Sequence, residues 1–390
     1  MSFNKTKLAL AVAAGLAVAP AAFATNGIMQ VGNGMAAHGL GGASLSNANE
    51  AMSGFDNPAL ITDTGDAISM GFSIFMPDRQ AEALGGLIVD KSVNNMYAIP
   101  QVAFTSKVSN SMSWGIMVNA LGGMDTTFVS GTLMPQSQAD LSGMIIAPTL
   151  GFAIGKNASV GASLLIGYEN FRAMNLMGMG YFDEGTAMGY GVKLGGNFKV
   201  NDGMAFSLVL QPKMSMGEIN NFKNFLGMFG FTGDAALTLP NIVGVGGKFA
   251  VGKNMDIVAD IMQYQWSSVD VFDFFGWQDQ TVLKVGAEWR ATDKLALRAG
   301  INYGKSPIQG DVAVIGGTTS AVEANASFPA VSEQHVTLGM GYKMDKNMTV
   351  NAYYLHSPRT TIEDATGLAP TFAISMAQNA FGLGINYQSK

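Results

Sequence analysis

Few side chains in this 390-residue sequence could carry out catalytic chemistry. It has three histidines, His38, His335 and His356, and no cysteine. No two histidines stand at the spacing of metal ligands, and the absence of cysteine excludes a thiolate site. Ser357 directly follows His356, and adjacent residues of a strand point to opposite faces, which does not suit a nucleophile and its base. We therefore predict no enzymatic activity, no metal site and no cofactor.

Two stretches between predicted strands, 171–182 and 214–231, are rich in methionine and phenylalanine, although loops that face water should be polar. Flexible, polarizable methionine side chains fit irregular apolar molecules. The two stretches form either a lid, by packing on each other, or a groove for an apolar ligand, and the two interpretations are compatible. The candidate ligand-binding residues are Met174, Leu176, Met177, Met179, Phe182, Phe222, Phe225, Met228, Phe229 and Phe231.

The second of these stretches has the pattern of a short helix over 220–230. Four apolar residues share one side of that helix: Phe222, Phe225, Met228 and Phe229. Arg172 and Lys223 lie near the apolar groups and are candidate cations for a carboxylate head group. For either cation alone, a solvated surface charge is the simpler interpretation.

The scaffold for these loops is a series of fourteen segments of about ten residues, each with period-2 alternation and bounded by turn residues. They span 67–76, 97–106, 112–121, 144–155, 157–169, 187–200, 203–213, 241–252, 254–265, 280–291, 294–304, 333–344, 347–357 and 376–387. After the first segment, long loops alternate with tight turns such as 155–157 and 252–254. Outer-membrane barrels sort their connections in this way. The sequence therefore predicts an all-β fold, a transmembrane antiparallel β-barrel of about 14 strands.

Alternation within the segments also predicts which residues face the bilayer. In the last segment, Phe381 and Leu383 are expected to face lipid, while Gly382 and Gly384 face the lumen. Charged residues occupy inward positions on four adjacent segments: Lys248, Asp256, Asp260, Lys284, Glu288, Arg290 and Arg298. They form either an ion-conducting wall or structural ion pairs. We favour ion pairs, because a wide lumen must place polar residues somewhere.

The composition excludes several other classes of protein. Charged residues make up 13% of the chain and hydrophobic residues 48%, and the charged share is about half that of an ordinary soluble domain. A net charge of −6 argues against binding to nucleic acid, which needs a basic face. Residues 1–24 combine early lysines, a short apolar run and a small-x-small end, a pattern typical of a cleaved signal peptide.

The stretch 25–66 carries eight glycines, seven of them within 25–62, and has neither a helical nor a strand period, so it cannot build a core of its own. We predict that it is a plug, or hatch, inside the barrel formed by 67–390. Asn57, Pro58 and Ala59 are its candidate gating residues. Gly122 and Gly123 directly follow the third segment, where glycine favours a bulge or bend that opens a gap toward lipid. An ordinary loop start explains these two glycines equally well.

A glycine-rich stretch that ends in Asn-Pro-Ala at 57–59, ahead of fourteen strands, resembles the FadL family of outer-membrane transporters for long-chain fatty acids and related hydrophobic compounds. Stretches at 239–240, 284–308 and 328–356 are also similar to the family. The resemblance implies capture by extracellular loops, transfer past a hatch, and lateral exit through a kinked third strand. The candidate exit residues are Ala120, Leu121, Gly122 and Gly123. The chain departs from the family at its end, because three non-aromatic residues follow Tyr387.

The expected function is passive transport of long-chain fatty acids or other hydrophobic small molecules across the outer membrane. The pattern of apolar residues suits fatty acids, alkanes and aromatic hydrocarbons alike, so the substrate stays open. The other expected partners are outer-membrane lipid, lipopolysaccharide and the outer-membrane insertion machinery, and the expected state is a monomer. The alternative is a structural or adhesive surface barrel whose apolar loops bind a partner protein. A diffusion porin for polar solutes is disfavoured by the plug.

Overall fold

The computed structural model describes residues 26–129, 131–134, 136–175 and 181–389. In this part of the chain, fourteen antiparallel strands pair in chain order and close into a barrel. The last strand pairs with the first from Ser389, opposite Asp66, to Ala373, opposite Glu82. This closure satisfies the backbone groups along the seam, as a hydrocarbon environment requires. The predicted signal peptide, 1–24, lies outside the described residues.

The barrel strands are numbered here in chain order. They are β1 (Asp66–Ala83), β2 (Tyr97–Lys107), β3 (Met112–Thr127), β4 (Gln138–Ile154), β5 (Ala158–Met174), β6 (Tyr181–Asn201), β7 (Met204–Gln211), β8 (Asn241–Val251), β9 (Met255–Gln265), β10 (Gln280–Arg290), β11 (Leu295–Gly304), β12 (Gln334–Lys343), β13 (Met348–Glu363) and β14 (Ala373–Ser389). Short strands at Ile88–Lys91 and Ser215–Met216 pair with β1 and β6. A separate small hairpin pairs Ala313–Val314 with Thr319–Ser320.

Each of the fourteen predicted segments is a strand, but several strands continue further toward the rim that carries the long loops. β1, for example, reaches Ala83 instead of residue 76. The outward residues become polar near this rim, as at Asp78, so the apolar alternation ends before the strand does. The predicted apolar loop 171–182 is therefore wrong in extent, because β5 ends at Met174 and β6 begins at Tyr181.

The predicted faces of the strands are confirmed. Phe381 and Leu383 point outward and are 46% and 49% exposed, as part of an apolar belt around the barrel. Gly382 and Gly384 point inward, where both lie against Met35. An apolar exterior with polar and small residues inside is the inverse of a soluble barrel and fits a bilayer.

The lumen is filled by residues 26–65, called the plug below. Its backbone forms three short helices, α1 (Met35–Gly39), α2 (Ser53–Asp56) and α3 (Ile61–Thr64), with a 3₁₀ turn at Pro58–Leu60. The loops at the long-loop rim carry α4 (Asn220–Gly227), a 3₁₀ turn (Trp266–Ser268), α5 (Asp270–Phe274) and α6 (Ala321–Ala324). None of the helices in the described ranges is long and apolar enough to cross a bilayer.

The plug approaches the wall most closely where both sides present glycine. Gly300 of β11 faces the backbone of Leu40 and Gly41, and a Cβ atom placed on Gly339 of β12 would lie 2.8 Å from the Cα of Gly39. Gly41 itself has a φ angle of 69°, which favours glycine. These wall glycines are therefore needed to seat the plug.

The inward charges pair across neighbouring strands, as predicted. Asp256 of β9 accepts from Arg290 of β10 at 2.8 Å and contacts the Lys248 ammonium of β8 at 3.1 Å. Glu288 of β10 accepts from Nε of Arg298 at 2.7 Å. Mutual pairing offsets the desolvation of these charges in the lumen.

Replacing Gly300 with valine tests whether glycine contacts seat the plug. Overpacking of this kind costs about 1–3 kcal/mol, and the cost falls on the plug because β11 is held by pairing with both β10 and β12. We expect hydrogen exchange of the plug at 38–43 to accelerate about tenfold, while the barrel keeps its native electrophoretic mobility.

Gly196→Val is the matched control. A Cβ atom on Gly196 of β6 meets nothing within 4 Å, so plug exchange should stay at the wild-type rate. Equal exchange rates in the two variants would contradict the proposed seating.

Candidate functional site

The loops at the long-loop rim form an aromatic cap over the lumen. Phe222 and Phe225 of α4 are buried, and the ring of Phe222 packs edge-on against Phe171 of β5 at 4.8 Å. Phe171 also lies 5.8 Å from Phe328 of the 305–333 loop. Residues from the two apolar stretches, 171–182 and 214–231, thus pack on each other and form part of a lid.

The other predicted ligand-binding residues have different positions. Met174 ends β5 and is 38% exposed, and Met228 is 63% exposed. Phe229 and Phe231 are half-buried in the cap. The backbone of Phe182 pairs with Ala173 within the barrel wall. Leu176, Met177 and Met179 lie outside the described residues.

An open groove of about 580 Å³ lies on the outer surface of the cap. Phe229 and Gly230 line one side, and Phe274 together with the small hairpin at 313–320 lines another. Sequence reasoning did not assign this groove, because the hairpin belongs to a loop that carries no aromatic cluster. The groove gives an arriving apolar molecule an open, partly aromatic surface on the cap.

Arg172 and Lys223, the predicted head-group cations, lie on the outer surface and are paired. Lys223 contacts Glu218 at 2.5 Å, and Arg172 lies 3.9 Å from Asp140. Their side chains are 47% and 43% exposed. The structure does not bring either cation into the lumen.

Beneath the cap, a narrow cavity lies between the plug and the wall strands β3–β10. Its lining is apolar on the β3–β7 side, with charged groups on the plug and on β6, β9 and β10. The apolar lining residues include Phe55, Leu121, Ile145, Leu165, Val209, Leu239, Ile242 and Met262, and the charged ones are Asp56, Lys193, Asp260 and Lys284. Its accessible volume is about 50 Å³. Sites for drug-sized ligands measure about 300–1,000 Å³, so the plug occupies most of the room that such a ligand would need.

The buried lysines of this cavity hold the plug. Nζ of Lys193 donates to the carbonyl oxygen of Phe55 at 2.8 Å, and Nζ of Lys284 donates to that of Val31 at 2.8 Å. Across the cavity, the Asp260 carboxylate accepts from the backbone nitrogen of Ser44 at 2.7 Å. Charge-assisted hydrogen bonds of this kind are stronger than neutral ones. Lys193 was not predicted from the sequence as a site residue. Its position between the outward residues Val192 and Leu194 nonetheless marks it as facing inward.

The barrel wall has a gap, called the window below, between β2 and β3. These strands pair only from Lys107–Ser113 to Val102–Val118, although β3 continues along β4 as far as Thr127. Pro100 of β2 lies at the window and has no N–H to donate. It pairs with Phe72, a residue of the apolar belt, so the window lies at the level of the bilayer.

The predicted exit residues lie at this window. The register of β3 against β4 shifts between Ala120 and Gly122, which leaves Leu121 as a β-bulge. Gly122 has a φ angle of 144°, and a Cβ atom on it would lie 2.6 Å from the carbonyl oxygen of Ile28 in the plug. Gly123 returns to regular pairing, opposite Ser142.

Plug residues seal the window from inside. The backbone nitrogen of Gly34 donates to Oε1 of Gln101 on β2 at 2.7 Å. On β3, Asn119 receives a bond from Gln30 at 3.3 Å and donates to Oδ1 of Asn33 at 2.5 Å. These three plug residues, Gln30, Asn33 and Gly34, are called the latch below. Polar residues in a glycine-rich stretch gave no sequence signal for this role.

The Asn-Pro-Ala residues lie at the opposite, short-turn end of the plug. Asn57 is fully buried and donates to the carbonyl oxygens of Leu45 at 2.8 Å and Gly196 at 3.3 Å. Pro58 begins the 3₁₀ turn and lies over Gly161 of β5. The Ala59 carbonyl accepts from Ser159 at 3.2 Å. These contacts anchor the plug to β5 and β6, two and three strands along the wall from β3.

The histidines lie apart from one another within the described chain. His38 is in the plug and stacks on Tyr353 at 4.4 Å, whereas His335 is buried on β12. His356 is exposed and Ser357 is buried, as expected for opposite faces of β13. The described His, Asp and Glu residues form no cluster that could hold a metal ion.

Residues 181–390, more than half of the chain, match the family described as outer membrane protein transport protein (OMPP1/FadL/TodX). The chain belongs to this family. It is a family of transport channels of the outer membrane and not a class of enzymes, which confirms the predicted family and outer-membrane location.

The fold is similar to those of solved transporters. The toluene transporter TodX of P. putida has a TM-score of 0.72 at 16% identity, with 92% of this chain and 99% of that chain covered. The Ralstonia pickettii toluene transporter TbuX gives 0.68 at 14%, with 92% and 99% covered. A Pseudomonas aeruginosa FadL homologue gives 0.67 at 13%, with 95% and 100% covered. No curated protein matches the sequence.

Glu50 makes the latch region sensitive to pH. Its Oε1 accepts from the backbone nitrogen of Ala36 at 2.9 Å, and it lies against Gly34. Burial raises the pKa of Glu50 from 4.5 to about 7, against the opposing effects of the Ala36 bond and the Arg298 charge. Protonation of Glu50 therefore stabilises the seated plug. This contribution is fully present below pH 4.5 and is lost as pH rises through 7. By linkage, the seated plug is about 3 kcal/mol less stable above this range than below it.

We expect plug protection at 34–56, measured by hydrogen exchange corrected for the intrinsic rate, to decrease between pH 5 and pH 8. Glu50→Gln keeps the acceptor for Ala36 but does not titrate, so its protection should decrease less over this range than that of the wild type. The same pH dependence in both proteins would show that Glu50 is not responsible.

Proposed function

We propose that this chain is a passive channel through which hydrophobic small molecules enter the outer membrane, leaving the lumen sideways through the window. The observation that carries the proposal is the position of the window beside an apolar cavity and at the level of the apolar belt. A polar solute would gain nothing from an opening toward hydrocarbon. An apolar molecule crosses it without leaving an apolar environment.

The proposed route begins at the outer groove beside Phe229 and Phe274. From there a ligand passes between the loops of the cap, where the rings of Phe171, Phe222 and Phe328 meet. It then enters the cavity beside Leu165 and Ile145. It leaves at the bulge formed by Leu121. Each step exchanges one apolar contact for another, so the concentration gradient alone can drive the transfer.

In this proposal the latch is the gate. The latch crosses the window, and the cavity behind it is too small for a ligand while the plug is seated. A ligand must therefore displace part of 26–42, which several glycines make conformationally inexpensive. The anchor at Asn57, Pro58 and Ala59 holds the remainder of the plug against β5 and β6, so that polar solutes stay excluded.

Neutral hydrophobic molecules are the proposed substrates, because the described cations along the route already have partners. Long-chain fatty acids are the second candidate, and the position of Lys193 and Lys284 favours them. Both lysines bind plug carbonyls in the cavity, and a ligand carboxylate that displaced the plug would replace those acceptors. A Lys193→Met, Lys284→Met protein should lose fatty-acid uptake and keep hydrocarbon uptake only if this second candidate is correct.

The proposed path to the membrane follows from the sequence. Residues 1–24 direct export and are removed, and 67–390 is inserted by the outer-membrane insertion machinery around the plug, 25–66. The mature chain then contacts outer-membrane lipid and lipopolysaccharide through its apolar belt and acts as a monomer.

Deleting Leu121 tests the lateral exit. Ala120 and Gly122 pair with Met144 and Gly143, which are adjacent on β4, so the deletion restores a regular register without turning any residue to the opposite face. A straight β3 can then continue its pairing with β2 and close the window. We expect initial uptake of labelled butylbenzene by cells to fall at least tenfold, with an unchanged amount of folded barrel.

Deletion of Gly367, an exposed residue of the loop between β13 and β14 with nothing within 4 Å of its Cβ position, is the control and should leave uptake unchanged. Full uptake by the Leu121 deletion would exclude the window as the exit. No uptake by the wild type above cells without the protein would overturn the transport proposal and favour an adhesive barrel.

A further inference from the structure

Glu169 of β5 is a fully buried carboxyl group that the proposed route does not yet use. Neither of its side-chain oxygens has a hydrogen-bond partner among the described residues. The ion pairs of the described chain do not include it, and the nearest cation along β5, Arg172, pairs with Asp140 on the outer surface. Leaving a buried carboxyl unpaired destabilises the folded protein, so such a group calls for a functional explanation.

The cross-strand register places Glu169 beside the window. Glu169 pairs with Gly143 of β4, and Gly143 pairs with Gly122 at the bulge. Two strand spacings, about 10 Å, separate Glu169 from Gly122. The one intervening wall position, Gly143, is a glycine and adds no side chain between the carboxyl group and Gly122. A molecule that turns from the cavity into the window passes along this part of the wall.

The surroundings of Glu169 are otherwise apolar. Its inward neighbours along β5 are Gly167 and the buried Phe171. A Cβ atom on Gly167 would lie 3.2 Å from Leu121 and 3.3 Å from the sulfur of Met216. Glu169 is therefore a polar group without a partner on an apolar part of the wall beside the window. A polar group placed in this way is how hydrophobic sites select ligands.

We propose that Glu169 binds a hydroxyl group of the transported molecule, so that the favoured substrates are hydrophobic molecules with one hydroxyl, such as alkylphenols. This inference rests on the proposed transport function. A hydroxyl group donates to a carboxyl oxygen in either protonation state of Glu169. A pure hydrocarbon leaves the carboxyl unpaired, and a fatty-acid carboxylate is repelled by an ionised one.

The test compares three ligands of similar shape, 4-butylphenol, butylbenzene and 4-butylanisole, in equilibrium dialysis with the purified full-length protein in amphipol. The wild type should bind the phenol about three- to tenfold more tightly than the other two, which is the contribution of one hydrogen bond. The anisole keeps the oxygen but carries a methyl group in place of the donated proton, so it can accept a hydrogen bond and cannot donate one.

Glu169→Leu should abolish this preference and leave butylbenzene binding equal or tighter, while Glu169→Gln, which keeps an acceptor oxygen, should retain most of it. Glu184→Leu, an exposed carboxylate on β6, is the matched control and should behave as the wild type.

Equal binding of phenol and anisole by the wild type, or an unchanged preference in folded Glu169→Leu protein, would overturn the role of Glu169. The transport proposal has a separate test, because it fails if cells take up labelled butylbenzene no faster than cells that lack the protein, whatever the binding preference of the purified protein.

Discussion

The constraint on which the structure depends is that backbone groups at the window must be satisfied without a neighbouring strand. In a bilayer an unpaired strand edge is costly, because lipid offers no hydrogen bonds. Here the cost is reduced locally. Pro100 has no N–H, Asn119 accepts from the backbone nitrogen of Ala120 at 2.9 Å, and the latch binds Gln101 and Asn119 from the lumen. The gap in the wall and the plug behind it therefore form one structural unit.

The rest of the plug is arranged to hold the latch in place. Glycines on β11 and β12 let its backbone lie directly on the wall, and Lys193, Asp260 and Lys284 bind its backbone at three further points. Asn57 anchors the plug on β6, at the short-turn end and three strands along the wall from β3. Movement of the latch end alone would open the exit while the anchor stays seated. The barrel could then pass apolar molecules sideways and stay closed to polar solutes.

Much of the fold could be predicted from the sequence, because each strand in a bilayer must alternate in polarity. The inward positions of Gly382 and Lys284 followed from parity alone. The site was less accessible to this reasoning. Phe222 and Phe225 were found because apolar residues in a loop are anomalous, whereas Gln30, Asn33 and Asn119 are ordinary polar residues whose role depends on contacts between distant parts of the chain. Glu169 faces inward by the same parity, but only the structure shows that it lacks a partner.

The most direct measurement of the central claim uses the absence of native cysteine. With Asn33→Cys and Asn119→Cys in one protein, a short reversible thiol crosslinker would tether the latch to β3, and uptake of labelled butylbenzene by cells would be measured before and after reduction. If the latch must leave the window, the crosslinked protein is inactive and reduction restores uptake to the level of the untreated variant. Equal uptake in the crosslinked and reduced states would contradict the account.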